Sequence, residues 1–404
     1  MTLLPLLLLC QAAPRTVGLR SLLDELADRS ALARLPCPGF VLRRAAPTAD
    51  EGTILDVDGP GAVVRIVPSR PAGTVTVRLD GRDAPLLRED PAKVLGWPIP
   101  FAGHCKITTD RPGADACSVE YRVYPPGTAV ASVAPGELEH AIAPVEGADR
   151  RGEETFTYSL SSENPDAGLI ASAPPLARGP RAITQIVFRA ESDDLEEALR
   201  RAILRISFDG EETVACPLRD FFAVGCVLDP SARRILGSAP GADPPTGRPA
   251  SQIDLVCRWV QPYERSVELR IENRGRKDLH VAGQLFTGPW TWDDRSLRFH
   301  ARWRRSGSTP IRVEGRGLFV GQLFSIAGAG RGQEVLAADG LESAPPALPA
   351  SEAHLRILDA IPFEKNFRAS IACSSSREES VEVAATSFYY ARPGAKDDTP
   401  PIRD

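Results

Sequence analysis

The chain is poor in methionine, histidine and aromatic residues, and its positive charge is not concentrated anywhere. Its 404 residues include one Met, five His and 6% aromatic residues. The 48 Lys and Arg residues form no run longer than three, and 53 Asp and Glu residues bring the net charge to −5. Because proteins that bind nucleic acid carry basic patches, we expect no nucleic-acid partner.

The eight cysteines form no Cys-x-x-Cys pair and the histidines are scattered, which argues against a structural zinc site. We expect no metal or cofactor. Cys105 and Cys117 flank residues 106–116 almost symmetrically. Two alternatives stay open for these cysteines: a disulfide across a hairpin, or two buried free thiols.

The apolar run MTLLPLLLL at the start is too short to span a bilayer as a helix, which needs about 20 residues. With small residues after it (CQAAP), it is typical of the apolar core of a secretory signal. We therefore expect residues 1–17 to be a signal or N-terminal segment, no membrane span, and export to the periplasm or the extracellular space. A basic n-region is missing from this sequence. A cytoplasmic location is the alternative.

A length of 404 residues predicts two domains, because single cores rarely grow beyond about 250–300 residues. Apolar residues at helical spacing predict a helix over residues 19–35 with Ser21 as its cap, and a short helix over 192–201 with Ser192 as its cap. Elsewhere the apolar period is two, which predicts strands. These strands are predicted at 61–67, 73–80, 104–110, 117–124, 154–160, 182–188, 202–208, 253–260, 266–272, 278–286, 296–303, 317–326, 354–361, 367–373 and 381–392.

Residues 229–252 are rich in Pro, Gly and Ala, which predicts a linker. Strands on both sides of it predict an all-β fold of two β-sandwiches in tandem. The predicted domains are 18–228 and 253–392, followed by a disordered tail at 393–404. Asp-Gly pairs, which favour hairpin turns, recur at 80–81, 209–210 and 339–340.

The stretch SIAGAGRGQEVLAADG, residues 325–340, places glycines after an apolar strand but does not predict a dinucleotide site. That fingerprint needs G-x-G-x-x-G followed by a helix, whereas QEVLAADG predicts another strand that ends in a turn. The sequence also contains no G-x-S-x-G element, so a Ser-His-Asp hydrolase is not indicated.

The block GPWTWDDRSLRFHARWRR, residues 288–305, holds three of the five Trp residues beside charged side chains. Sugar sites combine aromatic faces with carboxylates and Arg. The alternative is a sandwich core with alternate residues inward and a salt-bridged turn beside it. Adjacent acids such as Asp293 and Asp294 point to opposite faces of a strand, so they make a poor catalytic pair unless they lie in a turn. The candidate carbohydrate contacts are Trp290, Trp292, Asp293, Asp294, Arg295, His300 and Trp303.

Many separate segments resemble glycoside hydrolase family 172, in the same order along residues 18–394. They include GLRSLLDELADRSALARLP, ISFDGEETVACPLRDFF, LVCRWVQPYERSVELRIENRG, PWTWDDRSLRFHARWR and GRGLFVGQLFSI. The resemblance implies a tandem double jelly roll that assembles as trimers or dimers of trimers. It also implies retaining hydrolysis or transfer on fructofuranosides, including difructose anhydrides, or on D-arabinofuranosides.

The chain departs from the family at both positions that the resemblance implies to be catalytic. The family's Trp-Trp-Gly-Glu-Gly-Asp-Glu-Lys motif, whose first Glu is catalytic, places its Trp pair at Gly328 and Ala329 and that Glu at Arg331. The later Glu of the motif is kept as Glu334. The family's Gly-Thr-Gly-Thr-Glu-Asp-Tyr segment, which carries the second catalytic Glu, has no counterpart in residues 341–366. Arg331 cannot act as nucleophile or acid, because arginine stays protonated.

From these departures we predict a protein that has lost both catalytic glutamates and acts as a carbohydrate-binding or structural homotrimer. The alternative is an active retaining glycosidase or transglycosidase that uses other carboxylates, namely Asp293, Asp294 or Glu334.

Overall fold

The structure is a computed structural model. It describes residues 16–46, 52–68, 73–83, 85–89, 98–110, 117–138, 153–160, 170–172, 178–224, 227–228, 236–237, 251–305, 311–326, 331–343, 351–374 and 383–402. The chain divides into two compact units. Unit 1 comprises Met1–Asp28 and Pro36–Glu146, and unit 2 comprises Arg29–Leu35 and Gly147–Asp404.

The helices are few and short. The predicted helix over residues 19–35 is wrong in its length: α1 (Leu19–Ala27) ends early, and a 3-10 helix (Arg29–Ala33) follows it. The predicted cap is also wrong, because Gly18 occupies the cap position and its N–H donates to Ser21 Oγ at 2.9 Å. Later in the chain lie α2 (Leu195–Arg201), capped by Asp194 rather than Ser192, and α3 (Leu218–Phe221). No helix in the described part of the chain is long and apolar enough to cross a membrane.

Unit 1 contains one eight-stranded sandwich. Its sheets have the orders β1-β8-β3-β6 and β2-β7-β4-β5. The first strand therefore pairs with the eighth, the second with the seventh, the third with the sixth and the fourth with the fifth, which is the jelly-roll arrangement. The strands are β1 (Val41–Ala45), β2 (Thr53–Asp58), β3 (Gly61–Pro68), β4 (Val75–Leu79), β5 (Leu87–Glu89), β6 (Ile99–Phe101), β7 (His104–Thr109) and β8 (Cys117–Val123).

The first half of unit 2 repeats this arrangement. The path β9-β19-β11-β16 lies in one sheet and β10-β18-β12-β13 in another, so the eight main strands again pair from the two ends inward. The strands are β9 (Glu153–Leu160), β10 (Ile170–Ser172), β11 (Arg181–Glu191), β12 (Ala202–Phe208), β13 (Glu211–Pro217), β14 (Val227–Leu228), β15 (Leu236–Gly237), β16 (Gln252–Cys257), β17 (Gln261–Tyr263), β18 (Val267–Asn273) and β19 (Leu279–Pro289).

The second half of unit 2 forms a third jelly roll, with β20-β28-β22-β25 in one sheet and β21-β27-β23-β24 in the other. β13 pairs with β20 in parallel, which joins the second and third jelly rolls through one ten-stranded sheet. The strands are β20 (Arg298–Arg305), β21 (Ile311–Glu314), β22 (Gly317–Ile326), β23 (Arg331–Ala338), β24 (Leu341–Ser343), β25 (Ser351–Leu355), β26 (Ile361–Phe363), β27 (Asn366–Ser374), β28 (Val383–Ala391) and β29 (Lys396–Asp397).

The predicted all-β fold of tandem jelly rolls is therefore confirmed. The described strands form three sandwiches, one in unit 1 and two in unit 2, whereas the sequence predicted two. The two units do not follow the predicted domain limits. β11 and β12 precede residues 229–252 yet pair with β16, β18 and β19, which follow them, so this segment does not separate two sandwiches. The predicted disorder of 393–404 is also wrong, because β29 pairs with β21.

An aspartate recurs at the same place in all three jelly rolls. Asp80, Asp209 and Asp339 each occupy the left-handed region in the turn between the fourth and fifth strands, with φ of 53°, 55° and 51°. A positive φ also holds for the Gly that follows each of them, as the predicted hairpin turns require. Each carboxylate accepts backbone N–H groups at the start of the seventh strand, in the sets Gly103 and His104, Glu264 to Ser266, and Glu364 to Asn366.

For Cys105 and Cys117, the structure favours two buried free thiols over a disulfide across a hairpin. Cys105 and Cys117 are buried free thiols in different sheets of unit 1, so they do not face each other across a hairpin. Cys216 and Cys257 are also free and buried. Cys37 is disulfide-bonded.

Candidate functional site

The Trp-rich block forms a tightly hydrogen-bonded turn between β19 and β20, with Ser296 at its centre. The Trp290 indole N–H donates to Ser296 Oγ at 3.1 Å, and that hydroxyl donates to Asp293 Oδ1 at 3.0 Å. The backbone N–H of Asp293 also donates to Ser296 Oγ, at 3.1 Å. Asp293 and Asp294 therefore do lie in a turn, and the conformation of this turn is fixed by its own side chains.

The turn binds residues 29–35 of the same unit. Arg34 donates to Asp293 Oδ2 at 2.6 Å, and its guanidinium lies 4.2 Å from the centre of the Trp290 ring. The Arg295 guanidinium donates twice to the carbonyl oxygen of Leu35, at 2.7 and 2.9 Å. Three candidate carbohydrate contacts, Trp290, Asp293 and Arg295, therefore already have protein partners.

The Asp293 carboxylate stays ionised. Burial acts to raise its pKa, but the hydrogen bond from Ser296 and the charges of Arg34 and Arg295 outweigh burial and lower the pKa below its usual value. A general acid for glycoside cleavage needs a raised pKa. Asp293 is therefore suited to an ion pair rather than to proton donation.

Besides Asp293, which is exposed but paired with Arg34, two further candidates on this turn are accessible. Trp292 is half-buried and Asp294 is exposed. They lie two residues apart in a turn held in place by Ser296 and Arg34. This pair is the part of the predicted carbohydrate site that the structure leaves open.

The other two candidates, His300 and Trp303, lie on opposite faces of β20. His300 is 3% exposed and stacks on Tyr389 with ring centres 4.4 Å apart. Trp303 is half-buried and is paired across the sheet with Thr386. An odd spacing along a strand places the two side chains on opposite faces, so the seven candidates do not converge on one site. The alternating core also predicted for this block holds for Leu297, Phe299 and Ala301, which are fully buried.

Asp220, which the sequence analysis missed, binds Trp303. It accepts hydrogen bonds from the Thr386 hydroxyl, at 3.2 Å, and from the Trp303 side chain. Burial raises the pKa of this carboxyl to about 6, against lowering by Thr386, Arg219 and Trp303. The segment PLRDFF gave no periodic or motif signal for this carboxyl, because its partners come from strands more than 80 residues further along the chain.

At the positions that the resemblance aligns with a catalytic strand, the structure describes Glu334 but not the whole motif. Gly328 and Ala329 lie outside the described residues, and Arg331 begins β23 with its side chain outside them. Glu334 is 1% exposed. Its Oε2 accepts from Arg356 Nη2 at 3.0 Å and lies 3.1 Å from His354 Nδ1.

This buried ion pair sets the charge of Glu334. Burial acts to raise its pKa, but Arg356 and then His354 outweigh burial and lower the pKa below its usual value. Arg356 in turn lies 3.4 Å from Asp359 Oδ2. Glu334 is therefore an ionised carboxylate neutralised by a buried arginine.

A row of polar side chains crosses the third jelly roll beside Glu334. Cross-strand pairing places Arg302 opposite Ser387, Ser387 opposite Gln322 and Gln322 opposite His354. Directly paired residues share a face of the sheet, so the row runs unbroken over four strands. It separates two apolar clusters, one around Phe319, Phe367 and Tyr389 and the other around Phe324 and Ile326. A glutamine inside the apolar strand GLFVGQLFSI was the one sequence signal for it.

No group of three or more His, Cys, Asp or Glu side chains suited to a metal ion occurs among the described residues.

Comparison with known proteins does not assign a family. No family model matches the sequence, and no curated protein matches it. Among solved structures, the major capsid protein P2 of bacteriophage PM2 is similar over 59% of this chain and 97% of its own, with 10% identity and a TM-score of 0.35. A structure of Sulfolobus turreted icosahedral virus is similar over 87% of this chain and 90% of its own, with 10% identity and a TM-score of 0.17. We draw no functional conclusion from similarities this distant.

Proposed function

We propose that this protein is a non-catalytic, structural jelly-roll protein related to glycoside hydrolase family 172. In this proposal the acids left near the family's catalytic positions stabilise the fold instead of cleaving sugars. The tandem jelly rolls give it three rigid sandwiches in one chain, and its function then depends on its surfaces rather than on a reaction.

One observation carries the proposal: Glu334 is buried and neutralised by Arg356. Retaining hydrolysis needs a nucleophilic carboxylate and a second carboxyl group that donates a proton, about 5–5.5 Å apart. Glu334 has a lowered pKa and no access to solvent, and Asp293 is likewise paired with an arginine. Neither carboxyl group is suited to donate a proton.

A second candidate function, binding of carbohydrate without cleavage, is favoured by Trp292 and Asp294. The exposed part of the Trp292 ring offers an apolar face for sugar C–H groups, and Asp294 offers acceptor oxygens for hydroxyl groups. The surrounding turn is already ordered by Ser296, so little conformational entropy would be lost on binding.

Assembly and location are part of the proposal. The resemblance supports a homotrimer or a dimer of trimers, which light scattering coupled to size-exclusion chromatography would measure. The apolar N-terminal run supports export to the periplasm or the extracellular space, which fractionation of cells that express the full chain would test.

The decisive experiment measures release of aryl alcohol from aryl D-arabinofuranoside and aryl fructofuranoside by purified protein. We expect no turnover above buffer for the wild type. Turnover that is lost in Glu334→Gln, Asp293→Asn or Asp294→Asn would overturn the non-catalytic role. Carbohydrate binding is tested separately by calorimetric titration of oligofuranosides into wild type and Trp292→Ala.

A further inference from the structure

Residues 392–402, which we call the C-terminal strap, are held against the third jelly roll mainly by charged and polar side chains. Asp397 Oδ2 accepts from the Tyr389 hydroxyl at 2.9 Å and from Arg302 Nε at 3.1 Å. Asp398 pairs with Arg304. The strap's only regular element within the described residues, β29, is two residues long and pairs with β21. The strap is therefore held by these ion pairs together with a short stretch of backbone pairing.

A buried histidine adjoins these contacts. His300 stacks on Tyr389, the residue that donates to Asp397, with an angle of 15° between the ring planes. Its Nδ1 has no hydrogen-bond partner among the described residues. A buried imidazole nitrogen without a partner is costly, and the cost grows if the ring takes up a proton while it is enclosed.

The charged groups around His300 come from four strands. Arg298 and Arg302 flank it on β20, Tyr389 faces it from β28, and Asp397 faces it from the strap. On β13, Glu211 and Glu212 bind Arg298 and Arg302 respectively. Burial lowers the pKa of His300 to about 3; Asp397 acts to raise it, and Arg302 and Arg298 act to lower it.

We propose that the C-terminal strap is a proton-linked lid, which opens when His300 takes up a proton. His300 is neutral while the strap is closed and would regain its ordinary pKa of 6.5 once the strap exposes it. A group that binds protons more tightly in the open form favours opening as pH falls below that value. The opening constant should therefore rise roughly 30-fold between pH 7.5 and pH 5.

The aspartate that holds the strap does not titrate in the same range. Burial acts to raise the pKa of Asp397, but Arg302, Thr399 and Tyr389 lower it below its usual value. Asp397 therefore stays ionised at pH 5, and opening between pH 7.5 and pH 5 reports on His300.

Hydrogen exchange of the amides of residues 392–402, corrected for the pH dependence of intrinsic exchange, tests the proposal. Wild type should show the roughly 30-fold rise in opening between pH 7.5 and pH 5. His300→Phe keeps the ring stack but cannot titrate, so its opening should not depend on pH. The matched control is His104→Phe in unit 1, where His104 is partly exposed and pairs with Asp56, and this variant should respond as wild type does.

The proposal is overturned if opening in the wild type does not change with pH, or if His300→Phe keeps the wild-type response. Should His300→Phe fail to fold, Tyr389→Phe takes its place. That variant removes the hydroxyl that binds Asp397 but keeps the stack, so it should open more at both pH values and keep the pH ratio. Unchanged opening in Tyr389→Phe would count against the strap contacts.

Discussion

Arg34 forms a 2.6 Å ion pair with Asp293 while its guanidinium lies over the Trp290 ring. This relationship gives the most distinctive part of the sequence a structural role, because it fixes residues 29–35 to the rest of unit 2. The backbone takes part as well, because Leu35 N–H donates to the Arg295 carbonyl and Leu297 N–H to the Ala33 carbonyl, at 2.8 and 2.9 Å.

Loss of this ion pair should loosen residues 29–35 without unfolding the protein. We expect Arg34→Ala and Asp293→Asn each to cost about 1 kcal/mol, because the pair is partly exposed and the stacking on Trp290 adds little more. Hydrogen exchange at the amides of Leu35 and Leu297 should speed up in both variants. Exchange as slow as in the exposed control Asp294→Asn would contradict this structural role.

The repeated aspartates should contribute to stability in proportion to their burial. Asp339→Asn should cost about 1 kcal/mol, since one amide group replaces an acceptor of three backbone N–H groups. Asp209→Asn should cost about 3 kcal/mol, because its side chain is fully buried and Arg298 would lose a partner. Asn tolerates the left-handed conformation, so urea unfolding would report the hydrogen bonds rather than backbone strain.

The pH dependence of the same variants follows from their pKa values. Burial acts to raise the pKa of Asp209 and of Asp339, but the backbone N–H groups lower both below the usual value. Their stabilisation is therefore present above the unfolded pKa of about 4 and is lost as pH falls through the folded values. Equal losses of stability for Asp339→Asn at pH 7 and at pH 2 would contradict this explanation.

The Asp220 carboxylate should destabilise the folded protein as pH rises, in contrast to Asp209 and Asp339. Because burial raises its pKa to about 6, ionisation of the folded protein costs free energy, and this cost appears as pH rises from about 4 to 6. Asp220→Asn should therefore be more stable than wild type by about 1–2 kcal/mol at pH 7.5. This is less than the free energy that corresponds to the whole pKa shift, because the residue as a whole is half-buried. The two proteins should be nearly equal at pH 4. Urea unfolding at both pH values makes the comparison, and a gain that is the same at both would contradict it.

The Glu334–Arg356 pair should behave as a buried ion pair. Glu334→Leu alone should cost about 3–5 kcal/mol, because it leaves the Arg356 charge buried beside His354 and Asp359. The double variant Glu334→Leu/Arg356→Met should recover most of that loss, since apolar residues of similar volume often replace buried ion pairs without penalty. Thermal unfolding of the two variants tests this prediction. A double variant that is no more stable than the single variant would show that the loss does not come from an unpaired Arg356.

The sequence predicted much of the fold because the strands of jelly rolls alternate strongly. Stretches such as residues 202–208 and 317–326 match their observed strands residue for residue. The sequence predicted two sandwiches instead of three, because residue composition does not show where one sandwich ends and the next begins. The turns at Asp80, Asp209 and Asp339 can be recognised as equivalent only when the strand order is known. Residues 229–252 look like a domain linker, but they connect two strands of one sandwich.

The candidate site was less predictable, because its members are joined by contacts between distant segments. Trp290 and Asp293 suggested a sugar site by their residue types, yet their partner Arg34 lies more than 250 residues away. Asp220 and the polar row through Gln322 likewise depend on strand register. A single sequence shows which residue types could take part in binding or catalysis. The partners that these residues contact in the fold determine what they do.

The central proposal is that the chain lacks the retaining chemistry that its resemblance to glycoside hydrolase family 172 implies. It is tested most directly by mass spectrometry of the intact protein after incubation with activated furanosyl fluorides. A retaining enzyme forms a covalent glycosyl-enzyme through a carboxylate, and the method detects it even when turnover is too slow to follow. We predict an unchanged protein mass with both fructofuranosyl and D-arabinofuranosyl donors. An added mass of one sugar residue, mapped by peptide sequencing to Glu334, Asp293 or another carboxylate, would contradict the account.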